Sequence, residues 1–129
     1  MSRREIRVDG LAPPLSHYTD AVVSGDQLYI SGIVPVDAGG NVVGDDVVAQ
    51  AREVFSIMEQ VLAAAGAGAA DVVKVVVYLL DIDDRPKINP VREEFFGETR
   101  PASTLVEVSR LAVEGALLEI EAVAYLGGS

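Results

Sequence analysis

The sequence predicts one α+β domain in which a mixed β-sheet carries two helices on one face. Three observations support this class. Short β-branched runs bounded by glycine turns occur towards both ends of the chain, two helical patterns lie between them, and 129 residues without an internal repeat or linker suit one domain. Only residues 1–12 look separable, and they are expected to form a flexible N-terminal segment.

Two predicted hairpins open the domain, each with glycine at its turn, where a positive φ is needed. Their strands are the runs 21–23 with 27–30 and, in a shorter pair, 33–36 with 42–43. Ser31 and Gly32 are expected to end the second run. Asp45 or Asp46 then caps a helix. Its apolar positions recur at helical spacing and are Val47, Ala51, Val54, Phe55, Met58, Val61, Leu62 and Ala65.

The second half alternates strand and helix before two closing strands. The run 71–82 is nearly continuous in apolar, β-branched residues, which is typical of a strand covered on both faces. Because one helix layer covers one face, a second subunit is expected on the other. Asn89 and Pro90 fit the cap and first-turn proline of a shorter helix. The runs 103–110 and 117–126 are predicted to form an antiparallel pair.

Composition narrows the classes of function. Ten basic and twenty acidic residues give a net charge of −10, which opposes binding to nucleic acid. The absence of cysteine excludes disulfides, thiolate catalysis and cysteine-zinc sites, and it suits a reducing cytoplasm. The longest apolar run, 75–80, is far shorter than the roughly 20 residues of a membrane-spanning helix. A cytoplasmic protein without membrane or nucleic-acid partners is therefore expected.

Glu119 and Glu121 share one face of the last predicted strand, whose other residues are mostly apolar. One interpretation is a solvated face that includes Glu107 of the neighbouring strand. The other places a glutamate in a crevice between subunits, where burial would raise its pKa and fit it for proton transfer. The single His17 lacks a second histidine or a cysteine, so a surface histidine is expected rather than a metal ligand or triad member.

A set of short strings gives a more specific indication. They are 16–22, 28–32 with Pro35, Gln50-Ala51, 61–66, 71–74, Asn89 with Phe95-Phe96, Pro101-Ala102 before 106–108, Leu111 and 119–122. In their order and spacing they resemble the Rid (YjgF-like) family of imine deaminases over nearly the whole chain beyond residue 12. The resemblance implies a chorismate-mutase-like fold assembled as a homotrimer, with a central β-barrel and small-molecule clefts between subunits.

The resemblance also implies an activity and its residues. Family members hydrolyse imines and enamines such as 2-iminopropanoate to a keto acid and ammonia, without a metal or organic cofactor. By position, Glu119 would be the catalytic residue that orients water, and the substrate would lie beside Tyr18, Gly32, Asn89 and the backbone of Leu105. Tyr18 as a packing residue and Asn89 as a helix cap remain alternatives.

The carboxylate-binding arginine of the family has no counterpart at its expected position. Counting back from 106–108 places Ser103 there, as a candidate substrate-binding residue, and a neutral hydroxyl cannot replace the charge-assisted fork of a guanidinium. Arg100 and Arg92 lie close in sequence and could enter the cleft from another direction, although an exposed surface position is the alternative for both. Ile33, where relatives often carry glutamine, makes the pocket more apolar.

Two functions therefore remain open. The first is a cofactor-independent deaminase of imines or enamines whose substrate preference is altered by Ser103. The second is a non-catalytic trimer that binds a small metabolite or a regulatory partner on the same fold. The ribonuclease activity once attached to relatives is disfavoured by the negative net charge and by the presence of only two lysines.

Overall fold

A computed structural model describes residues 3–127 as a mixed sheet with two helices packed on one face. The strands are β1 (Arg3–Ile6), β2 (Ala21–Ser24), β3 (Gln27–Ile33), β4 (Val72–Leu79), β5 (Ala102–Glu107) and β6 (Leu118–Tyr125), and the helices are α1 (Val47–Ala64) and α2 (Arg85–Phe96). The strand order is β1-β2-β3-β6-β4-β5. The predicted α+β class is confirmed. Within residues 3–127, no helix combines the length and apolar character needed to cross a membrane.

Helix α1 follows the predicted pattern closely. Asp46 caps it from an extended backbone, accepting a hydrogen bond of 2.8 Å from the Ala49 N–H. The buried Gln50 side chain donates to the Gly115 carbonyl at 3.1 Å and accepts from the Leu117 N–H at 2.7 Å. These bonds tie the helix to the segment that leads into β6, which helps to fix the position of that strand.

Helix α2 begins at Arg85, five residues earlier than the Asn89-Pro90 pattern predicts. A 3₁₀ turn, Ile82–Asp84, leads directly into it, and Pro86 lies in its first turn, where a missing N–H costs nothing. Asn89 is therefore inside the helix rather than at its cap, and the capping interpretation of Asn89 is wrong. Pro90 lies within the helix on an exposed side.

The pairing of the last two strands also differs from the prediction. β5 runs parallel to β4, and α2 forms the crossover that a parallel pair requires. β6 instead lies antiparallel between β3 and β4. The antiparallel β5–β6 pair is therefore wrong, because the helix crossover places β5 at the edge while the apolar residues of β6 occupy the centre of the sheet.

The first residues and the second hairpin differ in smaller ways. Residues 3–6, which belong to the N-terminal segment expected to be flexible, form β1 and pair with β2. Residues 1 and 2 of that segment lie outside the described residues. β3 continues through Gly32 to Ile33 with an irregularity in its pairing to β6. The second hairpin is reduced to one bridge between Val36 and Val42.

The two faces of the sheet have different surroundings. Val75, Val77 and Ile120 point to the helix layer and are buried. On the face without helices, called the open face below, Tyr29 is 49% exposed and Tyr125 is 41% exposed. The alternating side chains of β4 therefore have cover on one side only within a single chain.

Candidate functional site

Glu119 lies on the open face, beside β3. It is in register with Tyr78 of β4, and its carboxylate packs on the Cα of Gly32. A Cβ atom built on Gly32 would collide with this carboxylate, since it would lie only 2.9 Å from the Glu119 Cδ. Glycine at position 32 therefore provides the space that the Glu119 side chain occupies.

The surroundings of Glu119 favour its protonated form. Burial raises the pKa of Glu119, and the negative charge of Glu121 raises that pKa further. The Tyr78 hydroxyl donates to Glu121 Oε1 at 2.5 Å, which also raises the pKa of Tyr78. The sequence reasoning did not identify Tyr78 as part of this cluster. The period-two alternation of β4 would have placed it on this face, although not against Glu121.

Tyr18 and Gly32 line a cavity of about 170 Å³. Gly32 also contacts Glu119, but Glu119 itself does not line this cavity. Tyr18 is 49% exposed, and its hydroxyl accepts a hydrogen bond of 3.2 Å from the Leu15 N–H. The cavity walls are largely apolar and include Leu11, Pro13, Ile33, Val34, Ile57 and Val61. His17, on the same loop, is exposed.

A second group of site residues surrounds α2 and β5. Asn89, Arg92, Arg100 and Ser103 line an open groove of about 760 Å³. Arg92 Nη2 donates to Ser103 Oγ at 2.7 Å, and burial lowers the pKa of Arg92. Arg100 is exposed and makes no side-chain hydrogen bond or ion pair within residues 3–127. Leu105 follows Ser103 by two residues and is half-buried against the core.

The two groups lie on opposite faces of the sheet. Ser103 is in register with Val75, whose side chain faces the helices, whereas Glu119 is in register with Tyr78 on the open face. From the strand spacing, the Cα atoms of Ser103 and Glu119 are on the order of 14 Å apart. The structure of one chain therefore does not bring together all of the residues that the resemblance assigns to one cleft.

Glu107 also lies away from Glu119. It is in register with Leu79 on the helix side, and its Oε1 accepts a hydrogen bond of 3.0 Å from the Ile82 N–H. The predicted polar surface shared by Glu107 and Glu119 is therefore wrong, because it assumed that β5 and β6 are neighbours. No group of three or more histidine or acidic side chains is arranged to hold a metal ion within the part of the chain that the structure describes.

Comparison with known proteins gives consistent matches. The family model described as Endoribonuclease L-PSP matches residues 10–126. A RutC family protein of Pyrococcus horikoshii is 44% identical, with 87% of this chain and 89% of that protein covered. The 3-aminoacrylate deaminase RutC of Acinetobacter baylyi is 38% identical, with 98% and 100% covered. The 2-iminobutanoate/2-iminopropanoate deaminase of Salmonella typhimurium is 35% identical, with 94% and 96% covered.

Solved structures agree with these relatives. The crystal structure of a putative endoribonuclease from Thermotoga maritima superposes with a TM-score of 0.91 at 32% identity, covering 97% of this chain and 98% of that one. The match therefore includes the whole sheet and both helices. Because the family model spans nearly all of the described residues and the relatives exceed 30% identity over most of their length, this chain belongs to the YjgF/Rid family.

Proposed function

We propose that this protein is a cofactor-independent hydrolytic deaminase of reactive imines and enamines. The observation that carries the proposal is the Glu119 carboxylate, which is half-buried against Gly32 with a raised pKa. Two relatives support the reaction class by name, since 3-aminoacrylate is an enamine and 2-iminobutanoate is an imine. The cysteine-free composition supports a cytoplasmic location.

The active clefts in this proposal lie between copies of the chain in a homotrimer. Glu119 and Ser103 point from opposite faces of one sheet, so a cleft that holds both needs a second copy. The open face exposes Tyr29 and Val106, which a partner sheet would bury. β5 is an edge strand, so alternate backbone groups of Ser103 to Leu105 are available to a ligand or a neighbouring subunit.

The proposed reaction is addition of water followed by loss of ammonia. The imine takes up a proton from solvent to give an iminium ion, and an enamine gives the same ion by taking up a proton on carbon. Glu119 accepts a proton from water as the water oxygen bonds to the iminium carbon, which gives a neutral carbinolamine. Glu119 then returns that proton to the amine nitrogen, the C–N bond breaks with release of ammonia, and the hydroxyl proton leaves to solvent as the C=O bond of the product forms. A glutamate with a raised pKa is a stronger base than an ordinary carboxylate, and its protonated form can return the proton.

The substrate preference is proposed to differ from that of relatives that carry arginine at the Ser103 position. Ser103 offers one neutral hydroxyl, so an anion cannot be held there by a side chain of β5 itself. The cavity beside Tyr18 and Gly32 has apolar walls that include Ile33. An apolar substituent on the substrate would fit this cavity, because burying it there removes apolar surface from water.

Ammonia release tests the proposal directly. An amino-acid oxidase would generate imines in the assay from a panel of amino acids, and a second panel of imines would be generated from amines. The purified protein would then be added to each and ammonia measured. We expect accelerated release on at least one imine and its loss in Glu119→Gln. Glu59→Gln, an exposed position on α1, should retain full activity. If no imine is hydrolysed faster than in buffer, the deaminase proposal fails and the non-catalytic binding function is favoured.

A further inference from the structure

The guanidinium of Arg92, on helix α2, lies against strand β5. Arg92 Nη2 donates to Ser103 Oγ at 2.7 Å, and this is the one hydrogen bond of the Arg92 side chain within residues 3–127. No carboxylate in this range lies within 4.0 Å of it, although Glu93 and Glu98 line the same groove. A partly desolvated positive charge is thus matched only by a neutral hydroxyl, which leaves it electrostatically unsatisfied.

The free part of this guanidinium fits a planar anion. A guanidinium has five N–H donors in a rigid fork, which suits the two oxygens of a carboxylate. Asn89 lies one helical turn before Arg92 and lines the same open groove, so an amide is available beside the fork. The charge of Arg52, by contrast, is already paired with the Glu94 carboxylate, so Arg52 has no comparable unpaired charge to offer an anion.

We propose that Arg92 anchors the carboxylate of the substrate and that Ser103 is a positioning residue that holds the Arg92 guanidinium against β5. This inference rests on the proposed deaminase function, and it supplies from the helix the charge that β5 itself lacks. The substrate is accordingly an imine or enamine that carries a carboxylate.

The position of the charge also selects the length of that substrate. The guanidinium of an arginine rooted at position 103 would extend roughly 6 to 7 Å from its Cα. Arg92 Nη2, hydrogen-bonded to Ser103 Oγ at 2.7 Å, lies at most about 5 Å from that Cα. At this nitrogen, Arg92 therefore lies about 1 to 2 Å closer to the β5 backbone than the guanidinium of an arginine at position 103 would, which is about the length of one C–C bond. For a reacting carbon that lies outward from β5, a carboxylate one carbon further away, as in a 3-imino acid or its enamine, fits this charge better than that of a 2-imino acid.

Two isomeric keto acids test both parts of the inference without turnover. 2-Oxobutanoate and 3-oxobutanoate differ only in the distance from carboxylate to carbonyl, and their Kd values would be measured by calorimetry on the full-length protein. We expect wild type to prefer 3-oxobutanoate by about tenfold. Arg92→Gln should weaken 3-oxobutanoate by roughly 10- to 100-fold, as expected for loss of a charge-assisted hydrogen bond. Arg85→Gln, the same change at an exposed position of α2, should stay within twofold.

Further variants separate anchoring from a folding defect. Arg92→Lys keeps the charge but not the fork, so we expect an intermediate affinity. Ser103→Ala should narrow the preference between the two isomers, which a general loss of stability would not do. In Arg92→Gln combined with Ser103→Arg, the preference should reverse towards 2-oxobutanoate. Circular dichroism and thermal unfolding would verify that each variant is folded.

Several results would overturn the inference. Unchanged affinity in folded Arg92→Gln and Arg92→Lys would remove Arg92 as the anchor, and loss of binding in Arg100→Gln alone would assign the anchor to Arg100. Failure of wild type to bind either keto acid would also refute it. If Arg92-dependent binding is found but ammonia release is not, the deaminase proposal fails and the anchor stands. If only uncharged imines are hydrolysed, the deaminase proposal stands and the role of Arg92 as the carboxylate anchor is refuted.

Discussion

Replacement of Gly32 by alanine tests how closely the position of Glu119 must be controlled. The new Cβ would lie 2.9 Å from Glu119 Cδ and 3.2 Å from its Cγ. Because carbon atoms pack best at about 3.5 to 4.0 Å, the end of the Glu119 side chain must move by about 1 Å. Gly32 is not among the positive-φ glycines, so the substitution introduces no backbone strain.

The expected effect is large on catalysis and small on stability. A displacement of about 1 Å at a reacting group can cost roughly 100-fold in rate, and we expect kcat/KM for imine hydrolysis to fall by that order. The displaced atoms are the flexible end of a side chain, so moving them costs little free energy. Alanine also lowers the conformational entropy of the unfolded chain, which stabilises the folded state by about 0.4 to 1 kcal/mol. The free energy of unfolding of Gly32→Ala, measured with urea, should therefore stay within about 1 kcal/mol of wild type.

Two controls isolate the contact with Glu119. Gly68→Ala is the matched change, because a Cβ on Gly68 would meet no atom within 4 Å, and it should leave kcat/KM unchanged. In a Glu119→Gln background, Gly32→Ala should cost little further activity, since the two residues act through one contact. Wild-type activity in Gly32→Ala, or an equal loss in Gly68→Ala, would refute the reasoning.

Three further predictions concern charge and assembly. Glu121→Gln keeps an acceptor for the Tyr78 hydroxyl but removes a negative charge, so the raised pKa of Glu119 should fall. The acidic limb of the pH profile of kcat/KM should then move to lower pH. An acidic limb at the wild-type pH would contradict this prediction. Tyr78→Phe removes the donor to Glu121 and should lower the free energy of unfolding by about 1 kcal/mol in urea. Tyr29→Glu places a charge on the open face, so we expect a smaller molecular mass by light scattering and a lower rate of imine hydrolysis. Gln60→Glu, on the exposed side of α1, should change neither the mass nor the rate.

Local patterns in the sequence predicted helix α1 and the β2–β3 hairpin well. The periodicity of α1 and its Asp46 cap depend on neighbours within one or two turns, so they can be recognised without knowledge of the rest of the chain. The glycine turn between β2 and β3 is equally local. The start of α2 was misplaced because two prolines, Pro86 and Pro90, compete for the first turn, and only the preceding 3₁₀ turn decides between them.

Contacts between distant segments could not be predicted in the same way. β5 and β6 follow each other in the chain, but the crossover through α2 gives β5 a different neighbour. The face on which Ser103 lies depends on that pairing, as does its contact with Arg92. Sequence proximity offered Arg92 and Arg100 as equal candidates, and only the packing of α2 on the sheet places Arg92 against Ser103. The roles of Glu119, Tyr18, Gly32, Asn89 and Leu105 remain predictions.

In the proposed homotrimer, the division of the candidate residues between two sides of one sheet would make neighbouring chains depend on each other for activity. A defect at Glu119 and a defect at Arg92 would damage different walls of a shared cleft. In trimers assembled from both inactive variants, some clefts would combine an intact Glu119 from one chain with an intact Arg92 from its neighbour. Complementation between two inactive alleles of the same gene would therefore follow from the proposed assembly.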